Sequence, residues 1–397
     1  MSGFEIIRGD LAGFVETPLA IYPRRSPFVA PLNADLIEEL DPLVNPLSED
    51  GAEWICMTAT RNGVPVGRIS ATVHSVAREF IASREGYFGF FDTIDDAGVA
   101  AELLKEAGLW LSERGCSTMV GPIGLVGSQQ IGVVTEGHDR MPYMDMAWSP
   151  LWMSRLLEQC GFVRHLGMRT SEVDVGSIDI DALRLQGNDK LANHDITIEP
   201  ITGDTLRAEA RLIRRLGNEA FACVPYFAPV SQADSDFRLR SLKDVLDPRI
   251  AFIARIDGRP AGIVLCIPDL NPLLHDLRGK TGLLAPFIWL KHRLARPKRA
   301  VLIFYAVAPR FQGLGLNGLM LSEVARGMRR GGYKTFGITW IEDSNKPSLR
   351  QVEKLGGRPL HRLYLYRRDL ERPDAQTEND VARISEIVEP KMPSIHG

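Results

Sequence analysis

The sequence predicts an α/β (α+β) fold that occurs twice in tandem, each copy a mixed, mostly antiparallel sheet flanked by helices. The chain has 397 residues, more than one typical domain holds. The frame Gly-x-Pro-x-Gly occurs at residues 63–67 and again at 258–262. Similar helix ends, EQCGF and EKLGG, occupy residues 158–162 and 353–357. Both pairs share one offset, since 258 − 63 and 353 − 158 are each 195.

Each copy begins with a predicted hairpin. Residues 53–75 form strand patterns on both sides of Asn62-Gly63, and residues 251–269 do so around Asp257-Gly258. Asn-Gly and Asp-Gly are strong hairpin signals. A strand, a helix ending near Arg-Gly and a further strand follow, at residues 87–122 and 300–341. The helices have apolar residues at i, i+3/i+4, i+7 spacing, which predicts packing on one face of a sheet.

These patterns predict the domain boundaries. We expect a degenerate first copy at residues 1–175, a turn-rich linker at 176–194, the catalytic copy at 195–372 and a polar tail at 373–397. The second copy also contains an insertion at residues 270–299. Its apolar stretch LLAPFIWL precedes Lys291, His292, Arg293, Arg296, Lys298 and Arg299. Three interpretations stay open: a solvated basic face, a helix lying on anionic lipid, or a lid over an apolar substrate.

Composition indicates a soluble globular protein, with 45% hydrophobic and 24% charged residues. A net charge of −3 argues against nucleic-acid binding. The five cysteines stand singly without a CxxC pair, so we expect neither disulfides nor a metal site. The start of the chain lacks a signal-peptide pattern, and no apolar run reaches the length of a membrane span. We therefore expect a cytoplasmic location, peripheral at the inner membrane if the insertion touches lipid.

The segment from Val307 to Arg330 predicts an anion site. A strand ends near Pro309, which cannot continue as a ladder donor, and a helix begins directly after a short glycine-containing loop. Gly313 and Gly315 allow positive φ and a close approach of ligand to backbone. The loop amides and the first helical turn would then converge on a pyrophosphate, with Arg310 adding a charged hydrogen bond.

Two other phosphate motifs do not fit this loop. The P-loop sequence GxxxxGK[ST] is absent. The run GLGLNG has GxGxxG spacing, but it lies late in its domain and lacks the acidic residue that a dinucleotide site needs on a following strand. A glycine-rich turn without a ligand remains the structural alternative.

The segment VAPRFQGLGLNGLM resembles the acyl-CoA-binding motif [QR]-x-x-G-x-[GA] of the GNAT superfamily of N-acyltransferases. The residues SNKPSLRQVEKLGG, at 344–357, resemble the next superfamily element, in which Val352 replaces the usual Tyr and Gly357 the usual Phe. That Tyr is the proposed acid for the leaving thiolate in many members. The resemblance implies acyl-CoA as a co-substrate, with no permanently bound cofactor. It implies the cofactor-contacting residues Gln312, Gly313, Leu314, Gly315, Leu316, Asn317, Asn345 and Ser348, beside Arg310.

Three further segments resemble a bacterial subfamily of tandem GNAT-like proteins, some of which are ceramide synthases. They are Asn218-Glu219-Ala220 with residues 225–227, the run PDLNPLL at 268–274, and WIEDSN at 340–345. The resemblance implies transfer of an acyl group from CoA to an amine, with a long-chain acyl group and a sphingoid base as the specific version. The partners would be acyl-CoA, an amine acceptor and anionic membrane lipid.

The first copy lacks the anion loop. Its corresponding strand is followed by Asp92, Asp95 and Asp96. Carboxylates suit a helix N-terminus as caps but repel a pyrophosphate, by about 1 kcal/mol per pair at about 4 Å in water. We expect this copy to act as scaffold and as one wall of the acceptor site.

Amide formation from a thioester needs a hydrogen-bond donor for the developing oxyanion and a base for the amine. The resemblance implies that a backbone N–H of Ala306 or Val307 faces the thioester carbonyl. Candidate bases are Glu342, Asp343, Tyr305 and Glu219. Each has a structural alternative: the first two as helix caps, Tyr305 as a core aromatic, and Glu219 as a solvated helix residue. His275 and His361 are expected at the surface.

Two other functions stay open. One is an aminoacyl-tRNA-dependent transferase on the same fold. The other is a non-catalytic CoA-binding module, to which the loss of the usual Tyr at Val352 points.

Overall fold

The computed structural model describes residues 3–74, 84–125, 130–185, 188–222, 224–282, 285–295 and 298–370. In the N-terminal half the strands are β1 Glu5–Arg8, β2 Ala52–Arg61, β3 Val64–His74, β4 Glu85–Thr93, β5 Thr118–Gly121, β6 Val133–Glu136 and β7 Val163–Asp174. The helices of this half are α1 Leu11–Ile21, α2 Asn33–Leu40, α3 Ala97–Glu113 and α4 Trp152–Gln159.

The second half begins with short helices, α5 Ile180–Leu185 and α6 Asn188–Leu191. Its strands are β8 Ile196–Pro200, β9 Ala251–Ile256, β10 Arg259–Pro268, β11 Arg299–Val307, β12 Thr335–Glu342 and β13 Arg358–Asp369. Its remaining helices are α7 Gly203–Ala208, α8 Ala210–Phe221, α9 Gln232–Val245, α10 Asn271–Leu277, α11 Ala285–Ala295, α12 Leu316–Gly331 and α13 Lys346–Lys354.

The repeated architecture predicted from the sequence is confirmed. Both hairpins turn through two residues of positive φ, at Asn62 and Gly63 (53° and 76°) and at Asp257 and Gly258 (51° and 72°). This conformation matches the right-handed twist of the strands and explains why Asn-Gly and Asp-Gly stand there. Residues 161 and 356, also 195 apart, are both glycines of positive φ just beyond helices α4 and α13.

The strands of the described part of the chain form one continuous thirteen-stranded sheet. Its order is β1-β2-β3-β4-β5-β13-β7-β12-β11-β10-β9-β8, with β6 paired to β13 beside this path. All pairs are antiparallel except β4 with β5 and β11 with β12. The predicted fold class, a mixed and mostly antiparallel sheet flanked by helices in tandem copies, is therefore correct.

The final strands of the two halves lie side by side at the centre of this sheet. Strand β13, from the end of the second half, lies between β5 and β7. Strand β7, from the end of the first half, lies between β13 and β12 and pairs Asp174 with Thr335. Each half therefore adds its last strand to the sheet of the other, so that neither sheet is completed by its own half alone.

Helices cover both faces of the sheet. On the α12 face, Val264 and Cys266 of β10 pack with Met320 and Val324 of α12. On the α8 face, the alternate residue Ile263 packs with Ile213 and Leu216 of α8. This alternation follows from the two-residue period of a strand.

The segment predicted as a linker, 176–194, packs against the second half. Ile178, Leu183 and Leu191 are buried in the same core as α12. Arg329 of α12 donates a hydrogen bond to the carbonyl of Ile178 at 2.6 Å. The domain boundaries remain a prediction, and the predicted tail 373–397 lies outside the described residues.

The insertion of the second half forms α10 and α11, and α10 contacts the first half. His275 bonds through Nε2 to the carbonyl of Ser26 at 3.0 Å, and Arg278 donates to that of Leu19 at 3.2 Å. Within the described ranges, none of the helices combines the length and apolar character needed to cross a bilayer.

Candidate active site

A gap opens between β11 and β12. The two parallel strands pair only from Arg299 to Leu302 and from Thr335 to Ile338. Both continue beyond this pairing, to Val307 and Glu342. The last five residues of β11 and the last four of β12 are therefore not paired with each other. A bulge in β11, where Ile303 has no partner on β10, lies at the base of the gap.

The predicted anion loop leads from the end of β11 into α12. A short 3-10 turn, Pro309–Phe311, follows the strand, and Gly313 and Gly315 both have positive φ, of 76° and 90°. Gly315 occupies the N-cap of α12, and no side chain caps this helix. A Cβ placed on Gly313 would meet no atom within 4 Å, so the loop faces open space. The first amides of this helix therefore have no side-chain partner, and the positive end of a 16-residue helix lies behind them.

Three side chains hold the loop against the strand. The amide of Gln312 donates to the carbonyl of Val307 at 3.1 Å, and the hydroxyl of Tyr305 donates to that of Asn317 at 3.2 Å. The exposed Arg310 donates to the carbonyl of Pro260 at 3.3 Å. Gln312 therefore orders the backbone of the loop, whereas Arg310 remains exposed to solvent at its rim.

The strand geometry distinguishes between the two predicted oxyanion donors. The N–H of Ala308 donates to the carbonyl of Ala261 on the β10 side at 2.9 Å. Backbone groups alternate sides along a strand, so the N–H of Val307 points away from β10, toward the gap, and that of Ala306 points toward β10. Val307 is therefore the better placed of the two.

Asp343 is held in an ion-pair network. Its carboxylate accepts from Arg362 of β13, at 2.6 Å for Oδ1, and from Arg169 of β7 at 2.9 Å. The hydrogen bonds from Arg362 hold the pKa of Asp343 below its usual range, with Arg169 acting in the same direction. A carboxylate stabilised in this way is a weak base. Its neighbour Glu342 lies at the end of β12 and accepts from the hydroxyl of Ser344 at 2.7 Å.

Tyr305 and Glu219 are the other two base candidates. Burial raises the pKa of Tyr305 far above its usual value, and its proton is engaged by the carbonyl of Asn317. This geometry indicates that Tyr305 holds the start of α12 against β11, and it does not favour Tyr305 as a base. Glu219, exposed on α8, lines an open cleft of about 220 Å³ together with Arg310 of the anion loop and Arg215. The structure thus brings Glu219 to the rim of the predicted CoA site.

The helix α13 begins as the sequence predicts. Asn345 is its N-cap and accepts from the N–H of Ser348 at 3.2 Å. Asn345, rather than Glu342 or Asp343, therefore caps the helix. Val352, at the position of the usual Tyr, is buried in the core with α12. A side chain at this position packs inside the protein, and valine has no group that could serve as the acid that the family resemblance implies for a Tyr here.

The prediction that His361 lies at the surface is wrong. His361 is 1% exposed and bonds through Nδ1 to the hydroxyl of Thr170 at 3.1 Å and through Nε2 to the carbonyl of Arg140 at 3.1 Å. Burial lowers its pKa. The strand alternation of β13 places this residue inward, a constraint that composition alone does not reveal. His275, also expected at the surface, is half-buried against the first half.

The equivalent region of the first half is closed. Asp96 caps α3 by accepting from the N–H groups of Gly98 and Val99, at 2.9 and 3.2 Å. The hydrogen bond from Arg61 lowers the pKa of Asp96, which therefore stays ionised. Asp92 pairs with Arg68 at 2.8 Å, and Asp95 pairs with Arg155. The amides that would hold a phosphate are thus already occupied.

The chain itself fills the gap beside β4. The N–H of Ile123 donates to the carbonyl of Phe88 at 2.8 Å, and a Cβ on Gly89 would lie 2.0 Å from the carbonyl oxygen of Ile123. Glu85–Tyr87 pair with Thr118–Val120, and beyond this pairing the segment after β5 lies against β4. The two halves therefore differ at both elements of the site: the loop and the gap.

Local sequence patterns predict no role for His165, Tyr226 or Trp340. His165 and Tyr226 form a hydrogen bond of 2.7 Å, and Tyr226 and Trp340 belong to one apolar cluster. Tyr226 lies in a segment with a subfamily resemblance, but no local pattern pairs it with a histidine 61 residues away. Within the described ranges, no group of three or more His, Cys, Asp or Glu residues could hold a metal ion.

Comparisons with known proteins agree with this geometry. Residues 217–356 match the family described as "Acetyltransferase (GNAT) family". The chain is 27% identical over 371 residues to the bacterial ceramide synthase of Caulobacter vibrioides, covering 91% of this chain and 95% of that protein. It is 26% identical to protein YghO of Escherichia coli, with 91% and 94% covered.

Solved structures show the same fold. A tandem GNAT protein from the clavulanic acid biosynthesis pathway is 13% identical with a TM-score of 0.54, covering 94% of this chain and all of that one. A GCN5-related N-acetyltransferase from Sphaerobacter thermophilus is 13% identical with a TM-score of 0.52, covering 94% and 97%.

Proposed function

We propose that this protein transfers an acyl group from acyl-CoA to an amine, because residues 217–356 match the GNAT acetyltransferase family and the described part of the chain shares its fold with a tandem GNAT protein. The amine nitrogen would attack the thioester carbon and form a tetrahedral oxyanion. The nitrogen then loses one proton and the C–S bond breaks, so that an amide remains, and the departing CoA thiolate takes up one proton. No permanently bound cofactor is needed for this reaction.

The uncapped start of α12 is the observation that carries the proposal. Gly315 leaves the first amides of this helix without a side-chain partner, whereas Asp96 occupies the amides of Gly98 and Val99 at the equivalent helix of the first half. A helix start with free amides and positive φ at Gly313 suits a pyrophosphate. The same contrast supports a donor site in the second half alone.

The gap between β11 and β12 supports the acyl-transfer step. A thioester lying between the two strands would present its carbonyl to the N–H of Val307, which faces the gap. A backbone donor fixed in a strand stabilises a developing oxyanion without reorganisation. The unpaired ends of β11 and β12 could also hold the pantetheine arm through backbone hydrogen bonds.

We further propose a long-chain acyl group and a lipid amine such as a sphingoid base as the substrates. The relative from Caulobacter vibrioides carries the name of a ceramide synthase. The helix α11 exposes Phe287 (70%), Trp289 (48%) and Leu290 (48%), a combination suited to the interface of a bilayer. Of the basic residues behind them, Lys291 and His292 both pair with Asp276, at 3.0 and 2.9 Å. The apolar residues therefore support membrane contact more strongly than the basic ones.

Purified protein incubated with CoA thioesters of increasing chain length and with sphinganine tests the proposal. We expect release of free CoA thiol together with one amide product, identified by mass spectrometry. Thioesters of the preferred length should raise the melting temperature most, because they bind only the folded state. Product formation that requires charged tRNA would favour the aminoacyl-tRNA-dependent alternative. Thermal stabilisation by acyl-CoA without product from any amine would favour a CoA-binding module.

A further inference from the structure

A tyrosine from the second half and a histidine from the first half meet above the centre of the sheet. The hydroxyl of Tyr226, in the segment between α8 and α9, lies 2.7 Å from Nε2 of His165 on β7. Their rings are 6.2 Å apart and nearly perpendicular. His165 is exposed, whereas Tyr226 is half-buried. The pair therefore connects a sheltered hydroxyl to a group in contact with solvent.

The backbone and the packing hold Tyr226 in this position. Its φ is 62°, a conformation that residues with a bulky side chain rarely adopt. Its ring packs edge to face on Tyr87 of β4, with 5.9 Å between centroids. The same segment is fixed at its other end, since Asn218 exchanges two hydrogen bonds with the backbone of Val230, at 3.0 and 3.1 Å. Backbone strain of this kind is often retained at functional sites.

The strand register places the pair at the edge of the sheet where the gap opens. Strand β7 runs antiparallel to β12 and pairs Met168 with Glu342, near the end of β12. Residues of β7 before Met168, His165 among them, therefore extend past the end of β12, on the edge toward which β11 and β12 separate. Trp340, on the unpaired part of β12, belongs to the same cluster as Tyr226 and Leu166. The pair thus lies at this edge of the sheet, and its tyrosine shares an apolar cluster with Trp340 of β12, one of the two strands that border the gap.

We propose that Tyr226 and His165 form a relay that takes the proton from the acceptor amine. The proposal rests on the acyltransferase function proposed above. As the acceptor ammonium gives its proton to Oη of Tyr226, the Tyr226 hydroxyl gives its own proton to Nε2 of His165. The products are a neutral amine, a neutral tyrosine and an imidazolium, which returns the proton to solvent. Atoms and charge balance without an ionised tyrosine.

The surroundings of Tyr226 favour proton transfer through both Tyr226 and His165 over proton transfer to Tyr226 alone. Burial raises the pKa of Tyr226, and the nearby Glu85 acts in the same direction, so the phenol alone is a poor base. Arg367 acts in the opposite direction and lies 3.8 Å from Glu85, which offsets part of that carboxylate's charge. In the relay, the Tyr226 hydroxyl passes the proton on and the exposed imidazole of His165 finally accepts it. A buried phenolate, which is energetically unfavourable, therefore does not form.

The variant Tyr226→Phe distinguishes a proton-transfer role of the Tyr226 hydroxyl from a purely structural role. Tyr226→Phe keeps the ring that packs on Tyr87 and removes only the hydroxyl. We measure acyl transfer to two nucleophiles: sphinganine, which is protonated at pH 7, and hydroxylamine, which is neutral there. Only the first nucleophile must lose a proton before its nitrogen can attack, which is the step assigned to the relay. A structural role of the hydroxyl would affect both equally.

We expect Tyr226→Phe and His165→Gln to lower kcat with sphinganine by at least about tenfold. The rate with hydroxylamine and the calorimetric affinity for acyl-CoA should stay within about twofold. The defect should shrink toward pH 9, where the acceptor loses its proton in bulk solution. Added imidazole should restore part of the activity of His165→Ala. His194→Gln, which removes an exposed histidine paired with Asp257, is the matched control and should behave as wild type.

Two results would overturn the relay: equal losses with both nucleophiles, or unchanged kcat with sphinganine in both variants. A wild-type protein that consumes acyl-CoA with neither nucleophile would instead contradict the proposed function itself. The two failures are therefore distinguishable in one set of assays.

Discussion

The carboxylate of Asp343, just beyond β12, and the guanidinium of Arg362, on β13, form a bidentate pair across the intervening strand β7. Arg169, on β7 itself, binds the same carboxylate. The three charged groups thus join the final strands of the two halves beside the end of the gap. A carboxylate used in this way stabilises the junction and is unsuited to accept a proton from substrate.

Asp343→Asn should therefore destabilise the fold and leave the pH dependence of turnover unchanged. We expect a loss of about 1 to 2 kcal/mol, moderated by the partial exposure of the pair. The pKa of Asp343 is lower in the folded state, so its contribution is present above the unfolded pKa and is lost as pH falls through the folded pKa. Urea unfolding of both proteins at about pH 7 and pH 3 should show the difference shrinking in acid. A stable variant with an altered pH–rate profile would restore Asp343 as a base candidate.

Tyr305→Phe tests the tether between β11 and α12. Losing the hydrogen bond to the carbonyl of Asn317 should weaken acyl-CoA binding several-fold, since a neutral hydrogen bond contributes about 1 kcal/mol. The shape of the pH–rate profile should not change. Loss of a titrating limb in this variant would show that Tyr305 is the base.

The double variant Gly313→Val, Gly315→Val should abolish acyl-CoA binding and leave the fold largely intact. Both residues have positive φ, which a β-branched side chain disfavours, and the new side chains would occupy the phosphate space. Gly258→Val is the matched control, because this residue also has positive φ with open space around it but lies in a hairpin turn. Isothermal calorimetry measures binding for each. Tight binding by a folded double variant would exclude the loop as the donor site.

We expect one CoA to bind per chain. The amides that Asp96 occupies in the first half cannot also hold phosphate, and the segment around Ile123 closes the gap of that half. Hydrogen exchange with acyl-CoA should protect residues 313–319 and leave 92–101 unchanged. A stoichiometry of two, or protection within 92–101, would show that the first half binds the cofactor as well.

Vesicle sedimentation tests the membrane prediction. Phe287→Ser with Leu290→Ser should reduce binding to anionic vesicles at every salt concentration, because the lost contribution is apolar. Leu43→Ser, at a residue of the first half that is 93% exposed, is the matched control. The charge reversal at Lys291, Arg293 and Arg296 should act only at low salt, since the Debye length is about 10 Å at 0.1 M. The side chain of Arg293 and residue Arg296 lie outside the described part of the structure. Absence of vesicle binding by the wild type at low salt would remove the membrane argument.

Local patterns predicted most of the fold. The two hairpin turns were predictable from Asn62-Gly63 and Asp257-Gly258, and the anion loop from Gly313 and Gly315. All of these residues have a positive φ, a backbone conformation that few other residue types adopt. The repeat at an offset of 195 residues then implied the tandem architecture. These features depend on neighbours in sequence, so a single sequence contains them.

Contacts between the two halves of the chain could not be predicted from local sequence patterns. Nothing near Asp343 indicates that Arg169 binds it, and the burial of His361 depends on the register of β13 against β7. The segment 176–194 is predicted as a linker because it lacks a sustained period and is rich in turn formers, and the contacts of its Leu183 and Leu191 with a core formed elsewhere in the chain leave no such local signal. Such pairings are set by the order of strands in the sheet, which local periodicity does not encode.

The position of β13 has a consequence for synthesis in the cell. Residues 358–369 leave the ribosome well after Thr118–Gly121 of the first half, with which they pair. At about 5 to 20 residues per second, β5 is exposed for on the order of 10 to 50 seconds before its neighbour exists. During that interval the edge of β5 is open to strands of other nascent chains. The strands of the first half therefore gain this neighbour only after β13 of the second half has been synthesised.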